Sequence, residues 1–395
     1  MGPTGIDRIE LAYARHLMDD STKRPACLVL HACGLLFGVT AAGGRRFIRD
    51  LDRRWQGLTP ASRPARIAAV LGSYARLFTS VWIVGPWLRR RLKVHGGAPV
   101  FVVVSHHHVG HAFTIRRIRR VFKARTVCFI HDLIPIDYPE FCRSGAEARH
   151  HRAIDNAAKL FDAAIVNSET TARSLRAYIE RSGNPPPSSL QICVAAPGVR
   201  PFPRPQAPAP GLLDRPYFVM LATIEPKKNH MLALNVWARL ASASAQPPLL
   251  LVIGAPGWGC AEAIDMMQRS QRLRGLVIWH RHMADSDVGP ALHGARALLA
   301  PSWVEGFGLP LAEALASGTP VICSDIPAFR EVGRGVPEYR DPLDLIGWMN
   351  AVLDYSRPDS PSRAAQMARL ADWHAPGWPE HFRMVDQLMK DLGPC

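Results

Sequence analysis

Nine short, uniformly apolar runs constrain the fold of this chain more than any other feature of its sequence. They are Val100–Ser105, Thr126–Ile130, Ala163–Asn167, Gln191–Ala195, Tyr217–Leu221, Leu249–Ile253, Leu276–Ile278, Ala297–Ala300 and Val321–Ser324. Each run is followed by a loop and then by a stretch with the periodicity of a helix. Apolar strands that alternate with helices are typical of parallel sheets covered on both faces. The sequence therefore predicts the α/β class, built from βαβ units.

The length and one proline-rich stretch predict two domains. The chain has 395 residues, and a domain commonly takes about 150. Between Pro197 and Pro216 five further prolines form a semi-rigid connector. We therefore expect two doubly wound, Rossmann-like domains, 1–205 and 213–375. Ligands of such sheets bind outside the carboxyl ends of the strands, so the predicted site is the cleft between the domains.

The positive charge is concentrated in the first half of the chain. Residues 1–210 hold 31 Lys/Arg and 14 Asp/Glu, whereas residues 211–395 hold 17 and 19. This asymmetry indicates a polyanionic or membrane-surface partner for the first half alone. Because the sequence has no basic-aromatic nucleic-acid motif, nucleic acid is not an expected partner.

Val70–Lys93 is the first candidate for contact with an anionic membrane surface. It has an apolar centre, two tryptophans (Trp82 and Trp87) and the basic cluster Arg89–Lys93, a combination typical of interfacial segments. The alternative is a buried helix with a solvated basic end. The second candidate is the basic helix Arg116–Arg125, whose own alternative is a solvated helix face.

Cysteine usage and hydropathy predict a cytoplasmic protein, or one peripheral on the inner face of the plasma membrane. The eight cysteines are scattered and none forms a C-x-x-C pair, which fits reduced thiols. The start of the chain has no apolar signal region, and no apolar segment is a convincing bilayer span. Ala26–Gly44 is predicted to form two buried strands and a turn.

The segment Ala297–Asp325 predicts a strand, a flexible loop and a helix whose N-terminus faces the cleft. Pro310 occupies a first-turn position and Gly318 follows the helix as a left-handed cap. Free N–H groups and the helix dipole favour an anion at such an end, above all a phosphate. Two carboxylates lie beside it, Glu305 and Glu313. A sugar nucleotide would supply the phosphates together with hydroxyls for these carboxylates.

This segment resembles a known family. Glu305, seven residues and then Glu313, within EGFGLPLAEALASGTPV, resemble the E-x7-E motif of retaining GT-B glycosyltransferases of family 4. The resemblance implies a GT-B fold, with Glu305 on a donor-sugar hydroxyl and Glu313 on the ribose hydroxyls. It implies that the loop binds the donor phosphates through Gly306, Phe307, Gly308 and Leu309.

Two further segments carry the same resemblance. Tyr217–Asn229, YFVMLATIEPKKN, resembles the first strand and loop of the family's second domain. There Lys228 matches a lysine that grips the donor diphosphate, and Lys227 replaces the more usual arginine, keeping the charge but not the bidentate fork. CFIHDLIPIDYPEF resembles the family's HDLxPxxxPExF segment and implies that His131 lies near the donor sugar. Asp132 is expected to brace the loop.

The ends of the chain complete the comparison with the family. Gly5-Ile6-Asp7-Arg8 resembles the loop after the family's first strand, where the backbone at Gly5 approaches the donor phosphates. Only four residues precede it, so that strand is expected to be absent or the start misassigned. Ser168 is expected to cap a helix. The stretch 376–395, through Trp378–Leu392, resembles the helix that crosses back onto the first domain.

Two patterns suggest metal ligands, but each has a simpler interpretation. Asp285-Ser286-Asp287 is nominally a D-x-D, yet it opens a helical stretch, where capping explains it. His106-His107-His108 with His111 lacks a carboxylate or Cys at matched spacing; contact with the acceptor is the favoured hypothesis. We therefore expect no metal and no cofactor.

Together these features predict a retaining, metal-independent hexosyltransferase of cell-surface polysaccharide synthesis. Its donor would be a nucleotide diphosphate sugar, with GDP-mannose favoured, and its acceptor a sugar or a polyprenyl-diphosphate-linked oligosaccharide. The catalytic candidates are His131, Lys228 and Glu305. The alternatives are a degenerate, non-catalytic GT-B nucleotide-binding protein and another GT-B enzyme, such as a sugar-nucleotide epimerase or a phosphorylase.

Overall fold

The computed structural model describes residues 5–19, 26, 28–32, 35–39, 41–55, 81–83, 99–183, 190–202 and 215–393. The strands in these ranges are β1 Leu28–Ala32, β2 Leu35–Val39, β3 Val81–Ile83, β4 Val100–Val103, β5 Arg125–Ile130, β6 Ala163–Val166, β7 Gln191–Val194, β8 Tyr217–Leu221, β9 Leu249–Ile253, β10 Val277–His280, β11 Leu298–Ala300, β12 Val321–Ser324 and β13 Glu338–Arg340.

The helices in the same ranges are α1 Gly5–Leu17, α2 Ala41–Trp55, α3 His106–Val109, α4 Ala112–Phe122, α5 Ile134–Asp137, α6 Ala146–Leu160, α7 Glu169–Arg181, α8 His230–Ala243, α9 Ala261–Arg269, α10 Asp285–Gly294, α11 Leu309–Ala316, α12 Pro327–Gly333, α13 Leu345–Ser356, α14 Pro361–Ala371 and α15 Trp378–Asp391. Two short 3-10 turns, Pro139–Phe141 and Pro226–Lys228, complete the description.

The second domain is built on one parallel sheet with the order β10-β9-β8-β11-β12-β13. Two clusters of buried apolar side chains cover its two faces, as parallel sheets require. All five apolar runs predicted here are strands. The edge strand β13 was not predicted, because its three residues, Glu-Tyr-Arg, are polar or amphipathic and form no apolar run.

The first domain contains a parallel sheet with the order β4-β5-β6-β7. All four apolar runs predicted in this half are strands, and buried side chains again cover both faces. One face is covered by α1 together with the C-terminal helix α15. Tyr13 of α1 is buried there, and its hydroxyl lies 2.8 Å from Nε2 of His381 of α15. The last helix therefore packs on the first sheet.

The N-terminal region departs from the predictions in two ways. Gly5–Arg8 is the first turn of α1 rather than a loop. The second departure is an additional antiparallel sheet, formed by β1, β2 and β3, which the two predicted parallel sheets do not include. The two strands predicted within Ala26–Gly44 are confirmed as β1 and β2, but α2 begins at Ala41. Only two residues separate β1 from β2 in the sequence, and connections this short allow antiparallel pairing.

Three predictions concern residues outside the described ranges. The strand expected before Gly5 falls on residues 1–4, and most of the proline-rich connector falls on 203–214. The segment Val70–Lys93 is described only at β3, without its side chains. Among the residues that the structure describes, no helix is both long and apolar enough to cross a bilayer.

Candidate active site

The candidate site lies at the carboxyl ends of two neighbouring strands of the second sheet. The chain runs outward from β8 through β9 to β10 on one side, and from β11 through β12 to β13 on the other. The neighbouring strands β8 and β11 therefore flank the point where the strand order reverses, which is where ligands of such sheets bind. The loop after β8 carries Lys227 and Lys228, and the loop after β11 carries Glu305. Trp303 N–H donates to the Lys227 carbonyl over 2.8 Å and joins the two loops.

Lys228 and Glu305 form the central ion pair of this crevice. Lys228 Nζ lies 2.5 Å from Glu305 Oε1, and the side chains are 14% and 11% exposed. Ser302 Oγ donates to the same carboxylate oxygen over 2.8 Å. The pair is thus shielded from water, and the attraction between two charges is stronger in such an environment than at a surface. The two contacts also fix the orientation of the Glu305 carboxylate.

Two helix N-termini meet beside this pair. Gly308 precedes α11 with φ +96°, and a Cβ at this position would lie 2.6 Å from the Phe329 ring. Both the backbone conformation and the lack of space therefore require glycine. Gly5, the first residue of α1, packs so closely on Leu309 that a Cβ there would lie 2.8 Å from it. The N–H groups of both first turns have no acceptor within their own helix, and such groups favour an anion.

The remaining residues of the loop have distinct positions. The Phe307 side chain is buried in the second-domain core, so only its main chain can face a donor. Gly306 packs against the first domain, since a Cβ there would lie 2.5 Å from the His131 carbonyl oxygen. The left-handed cap predicted after the helix is confirmed at Gly318, with φ +78°.

Glu313 lies within α11 in an environment that disfavours its charge. Burial raises the pKa of this carboxyl to about 7; Arg8 opposes the shift and Asp285 adds to it. Arg8 donates to both carboxylate oxygens of Asp285 over 3.0 and 3.1 Å and lies 3.6 Å from Glu313 Oε1. Asp285 is therefore an ion-pair partner across the cleft rather than a helix cap, which is Ala284.

His131 directly follows β5 and faces a cavity of about 200 Å³. Its Nε2 lies 3.1 Å from the Val104 carbonyl; because a carbonyl can only accept, this nitrogen carries the proton. Burial lowers the pKa of the imidazole, although the Val104 contact and Asp132 oppose the shift, so His131 is neutral near pH 7. The bracing role of Asp132 is confirmed, since its Oδ1 accepts from Ile134 N–H over 3.0 Å.

Lys227 reaches the same cavity from the second domain. Burial lowers the pKa of its ammonium, but Asp132 and Glu225 outweigh that effect and the pKa is raised. The rest of the cavity lining belongs to the first domain and includes Ile6 of α1 and His150 of α6. Thus the two lysines, although adjacent in sequence, serve different parts of the cleft: Lys228 faces Glu305 and Lys227 faces the first domain.

The metal hypotheses gain no support from the described residues. No group of three or more potential metal ligands occurs among them. His108 is exposed, and its ring lies 5.9 Å from that of His111; the side chains of His106 and His107 are not described.

Sequence reasoning missed several residues of the cleft. Arg8 lies within the Gly5–Arg8 motif, but no nearby residue indicated that its side chain pairs with Asp285. Ser168 was predicted only as a cap; this is confirmed, because its Oγ accepts from Thr171 N–H over 3.0 Å. The same hydroxyl also donates to the Gly306 carbonyl over 2.6 Å. No sequence signal pointed to that second contact.

Comparison with known proteins identifies the fold. The solved structure of sucrose-phosphate synthase from Thermosynechococcus elongatus matches with a TM-score of 0.58 at 17% identity, covering 98% of this chain and 92% of that one. Such a likeness defines the fold alone. The chain thus has the GT-B fold of glycosyltransferases, two Rossmann-like domains facing across a cleft.

Sequence comparison finds one family match and several named relatives. Residues 206–334 match the family described as "Glycosyl transferases group 1". The serotype-specific mannosyltransferase WbdA of Escherichia coli is 27% identical over 219 residues, which are 52% of this chain and 27% of WbdA. The O-antigen chain mannosyltransferase RfbU of Salmonella typhimurium is 27% identical over 294 residues, 73% of this chain and 74% of RfbU.

The second domain therefore matches the glycosyl transferases group 1, and the chain resembles bacterial mannosyltransferases. It spans about a quarter of the length of WbdA.

Proposed function

We propose that this protein is a retaining hexosyltransferase that uses a nucleotide diphosphate sugar. One observation carries the proposal: two helix N-termini and the Lys228–Glu305 pair converge at the switch point of the second sheet, opposite His131 of the first domain. Such a crevice offers positive electrostatics for a diphosphate and hydrogen-bonding groups for a sugar. A nucleotide sugar uses both.

The donor is held at three points in this proposal. The first turns of α11 and α1, with Lys228, bind the diphosphate. Glu313 accepts hydrogen bonds from the ribose hydroxyls, and its carboxyl, whose pKa is about 7, loses its proton on binding. Glu305, oriented by Ser302 and Lys228, accepts from a donor-sugar hydroxyl.

Transfer follows from stabilising the leaving diphosphate. The anomeric C–O bond to the β-phosphate breaks, and the acceptor hydroxyl oxygen bonds to the anomeric carbon on the same face. Because the hydroxyl attacks the face from which the diphosphate leaves, configuration is retained, and the departing phosphate oxygen takes the hydroxyl proton. Negative charge grows on the diphosphate as the bond breaks, and the preorganised N–H groups and Lys228 stabilise it. His131, neutral and fixed by Val104, provides a hydrogen bond to the donor sugar.

The identities of donor and acceptor are proposals of their own. The mannosyltransferase names of WbdA and RfbU favour GDP-mannose. The O-antigen role in the name of RfbU favours a sugar or lipid-linked oligosaccharide acceptor in polysaccharide assembly. The cavity of about 200 Å³ in front of His131 is the place for the acceptor, because it opens between the two domains.

A basic face of the first domain suits a cytoplasmic membrane surface. Helix α4 exposes Arg116, Arg117 and Arg120, and its C-cap residue Lys123 is exposed too; Phe113 of the same helix is 75% exposed. No acidic residue lies in the first turn of this helix. An exposed aromatic ring beside basic side chains favours an anionic lipid interface, where each basic residue contributes about 1 kcal/mol. We therefore propose a peripheral location with α4 toward the membrane.

Ligand-induced stabilisation tests the donor assignment. Purified protein would be heated with GDP-, UDP- and ADP-sugars, and a donor at 100 times its Kd should stabilise it by about 2.7 kcal/mol. Release of nucleoside diphosphate, measured with and without acceptor sugars, then separates a transferase from a nucleotide-binding protein. Stabilisation without any turnover would favour the non-catalytic alternative, and conversion of the donor to another nucleotide sugar would favour an epimerase.

Vesicle flotation tests the membrane face. The quadruple variant R116Q/R117Q/R120Q/K123Q should lose binding to anionic vesicles, and wild-type binding should weaken at high salt. The matched control, R269Q/R272Q/R274Q/R334Q, removes the same charge from exposed positions of the second domain. Equal flotation of both variants would contradict the assignment to α4.

A further inference from the structure

The turn that opens α7 contacts both halves of the proposed site. Asn167 Nδ2 donates to the His131 carbonyl over 2.7 Å, which fixes the residue that follows β5. One residue later, Ser168 Oγ donates to the Gly306 carbonyl over 2.6 Å. Gly306 follows Glu305 directly. Asn167 thus holds the main chain of His131, a proposed catalytic residue, and Ser168 holds the main chain beside Glu305, another one.

These contacts are buried, which makes their loss costly. Asn167, Ser168 and Thr171 are 5%, 1% and 3% exposed. Thr171 Oγ1 lies 2.9 Å from Asn167 Oδ1 and joins the same network. Removing the Ser168 hydroxyl while the domains stay packed would leave the Gly306 carbonyl buried without this partner, and an unpaired buried polar group destabilises more than a paired one stabilises.

Glu331 of the second domain holds the same helix end from the other side. Its carboxylate accepts from Glu169 N–H over 2.6 Å, from Thr170 N–H over 2.9 Å and from the Thr170 hydroxyl over 2.9 Å. The first N–H groups of a helix have no partner within the helix, and the dipole favours a carboxylate beside them. Glu331 therefore acts as a helix cap supplied by the opposite domain.

We propose that Ser168 and Glu331 are positioning residues that hold the two domains in the arrangement in which His131 and the loop Glu305–Gly308 face one donor. The inference rests on the proposed function for the roles of His131 and Glu305, whereas the domain contact itself stands on geometry. Because Lys228, Glu313 and the first turn of α11 lie within the second domain, and only the first turn of α1 belongs to the first, weakening this contact lowers turnover more than it lowers the affinity for free nucleoside diphosphate.

Hydrogen exchange tests the contact without any activity. In Glu331→Ala, the amides of Glu169 and Thr170 should exchange about 10- to 100-fold faster, because each loses a charged acceptor. Glu331→Gln keeps one acceptor oxygen and should restore part of the protection. Asp325→Asn, which disrupts an ion pair to Arg330 inside the second domain, should leave these amides unchanged. Unchanged exchange in Glu331→Ala overturns the inference whatever the enzyme does.

Kinetics test the positioning role. Ser168→Ala should lower kcat about 3- to 10-fold and leave the Kd of the nucleoside diphosphate within twofold of wild type. Ser360→Ala is the matched control: Ser360 also caps a helix and is 3% exposed, but its contacts stay within the second domain. Equal losses of kcat in both variants would mean general destabilisation and would overturn the proposal. If the wild type transfers no sugar from any donor, the proposed function fails while the exchange result still decides the domain contact.

Discussion

In the second domain the charged side chains of the site pair with other charges, whereas in the first domain His131 is held by main-chain oxygens. Lys228 pairs with Glu305, and Glu313 and Asp285 share Arg8. His131, in contrast, bonds to the Val104 carbonyl, and its own carbonyl accepts from Asn167. The donor side is thus built from charges that balance one another before a ligand arrives.

This difference predicts where substitutions matter most. Removing one member of a shielded ion pair leaves its partner uncompensated, which costs more than the pair itself contributes. Removing a neutral hydrogen bond costs about 1 kcal/mol. We therefore expect the largest effects at the charged residues of the second domain and smaller ones at the neutral contacts of the first.

Lys228→Ala should show the largest effect. Leaving-group charge grows in the transition state, so kcat should fall about 100- to 1000-fold, a loss typical of removing one electrostatic donor, while donor affinity changes less. Steady-state kinetics with the best donor measure both. Lys159→Ala, at an exposed position of the first domain, is the control. An increase in KM with unchanged kcat would contradict the leaving-group role.

The second effect is a pH-dependent stability due to Glu313. Its pKa is about 7 in the folded protein and near the ordinary glutamate value when unfolded. The folded state therefore holds the proton more firmly, and the stabilisation is complete below about pH 4.5 and lost as the pH rises through 7. The shift corresponds to about 3 kcal/mol. Denaturant unfolding should show a steeper decline over this range in wild type than in Glu313→Gln; parallel curves would exclude the shift.

A third test concerns nucleotide binding by the same residue. Glu313→Ala should weaken binding of the free nucleoside diphosphate by about 1.5–3 kcal/mol, because the ribose hydroxyls lose a charged acceptor. Wild-type affinity should rise with pH through about 7, since the carboxylate is the binding form. Titration calorimetry at pH 6 and 8 measures both effects, with the exposed Glu262→Ala as control. Unchanged affinity would remove Glu313 from the ribose site.

The smallest effect is expected from chelation. If Lys228 and the two helix ends supply the positive charge for the leaving diphosphate, EDTA should leave the transfer rate unchanged. Complete loss with EDTA, restored by Mn²⁺, would instead support Asp285 and Asp287 as metal ligands. That outcome would also require Arg8 to leave Asp285 when the metal binds.

Locally encoded features were predictable from the sequence. The nine apolar runs are strands, and Gly308, Pro310 and Gly318 define the start and end of α11 as expected. These features depend on residues close in the chain, because the periodicity of apolar residues, the fixed φ of proline and the positive φ of glycine act within a few positions. The expectation that Lys228 and Glu305 serve one donor came instead from the resemblance to the family, since 77 positions separate them.

The tertiary structure alone decided which distant residues meet. Arg8 and Asp285 are 277 positions apart, and Ser168 and Gly306 are 138 apart. No pattern within either segment specifies the other, because such pairs form only after the sheets have assembled and the domains have packed together. The same holds for the raised pKa of Glu313, which follows from burial between α1 and α11. The sequence by itself determined the strands, the helix ends and the residue types of the site, while packing decided their partners and their charge states.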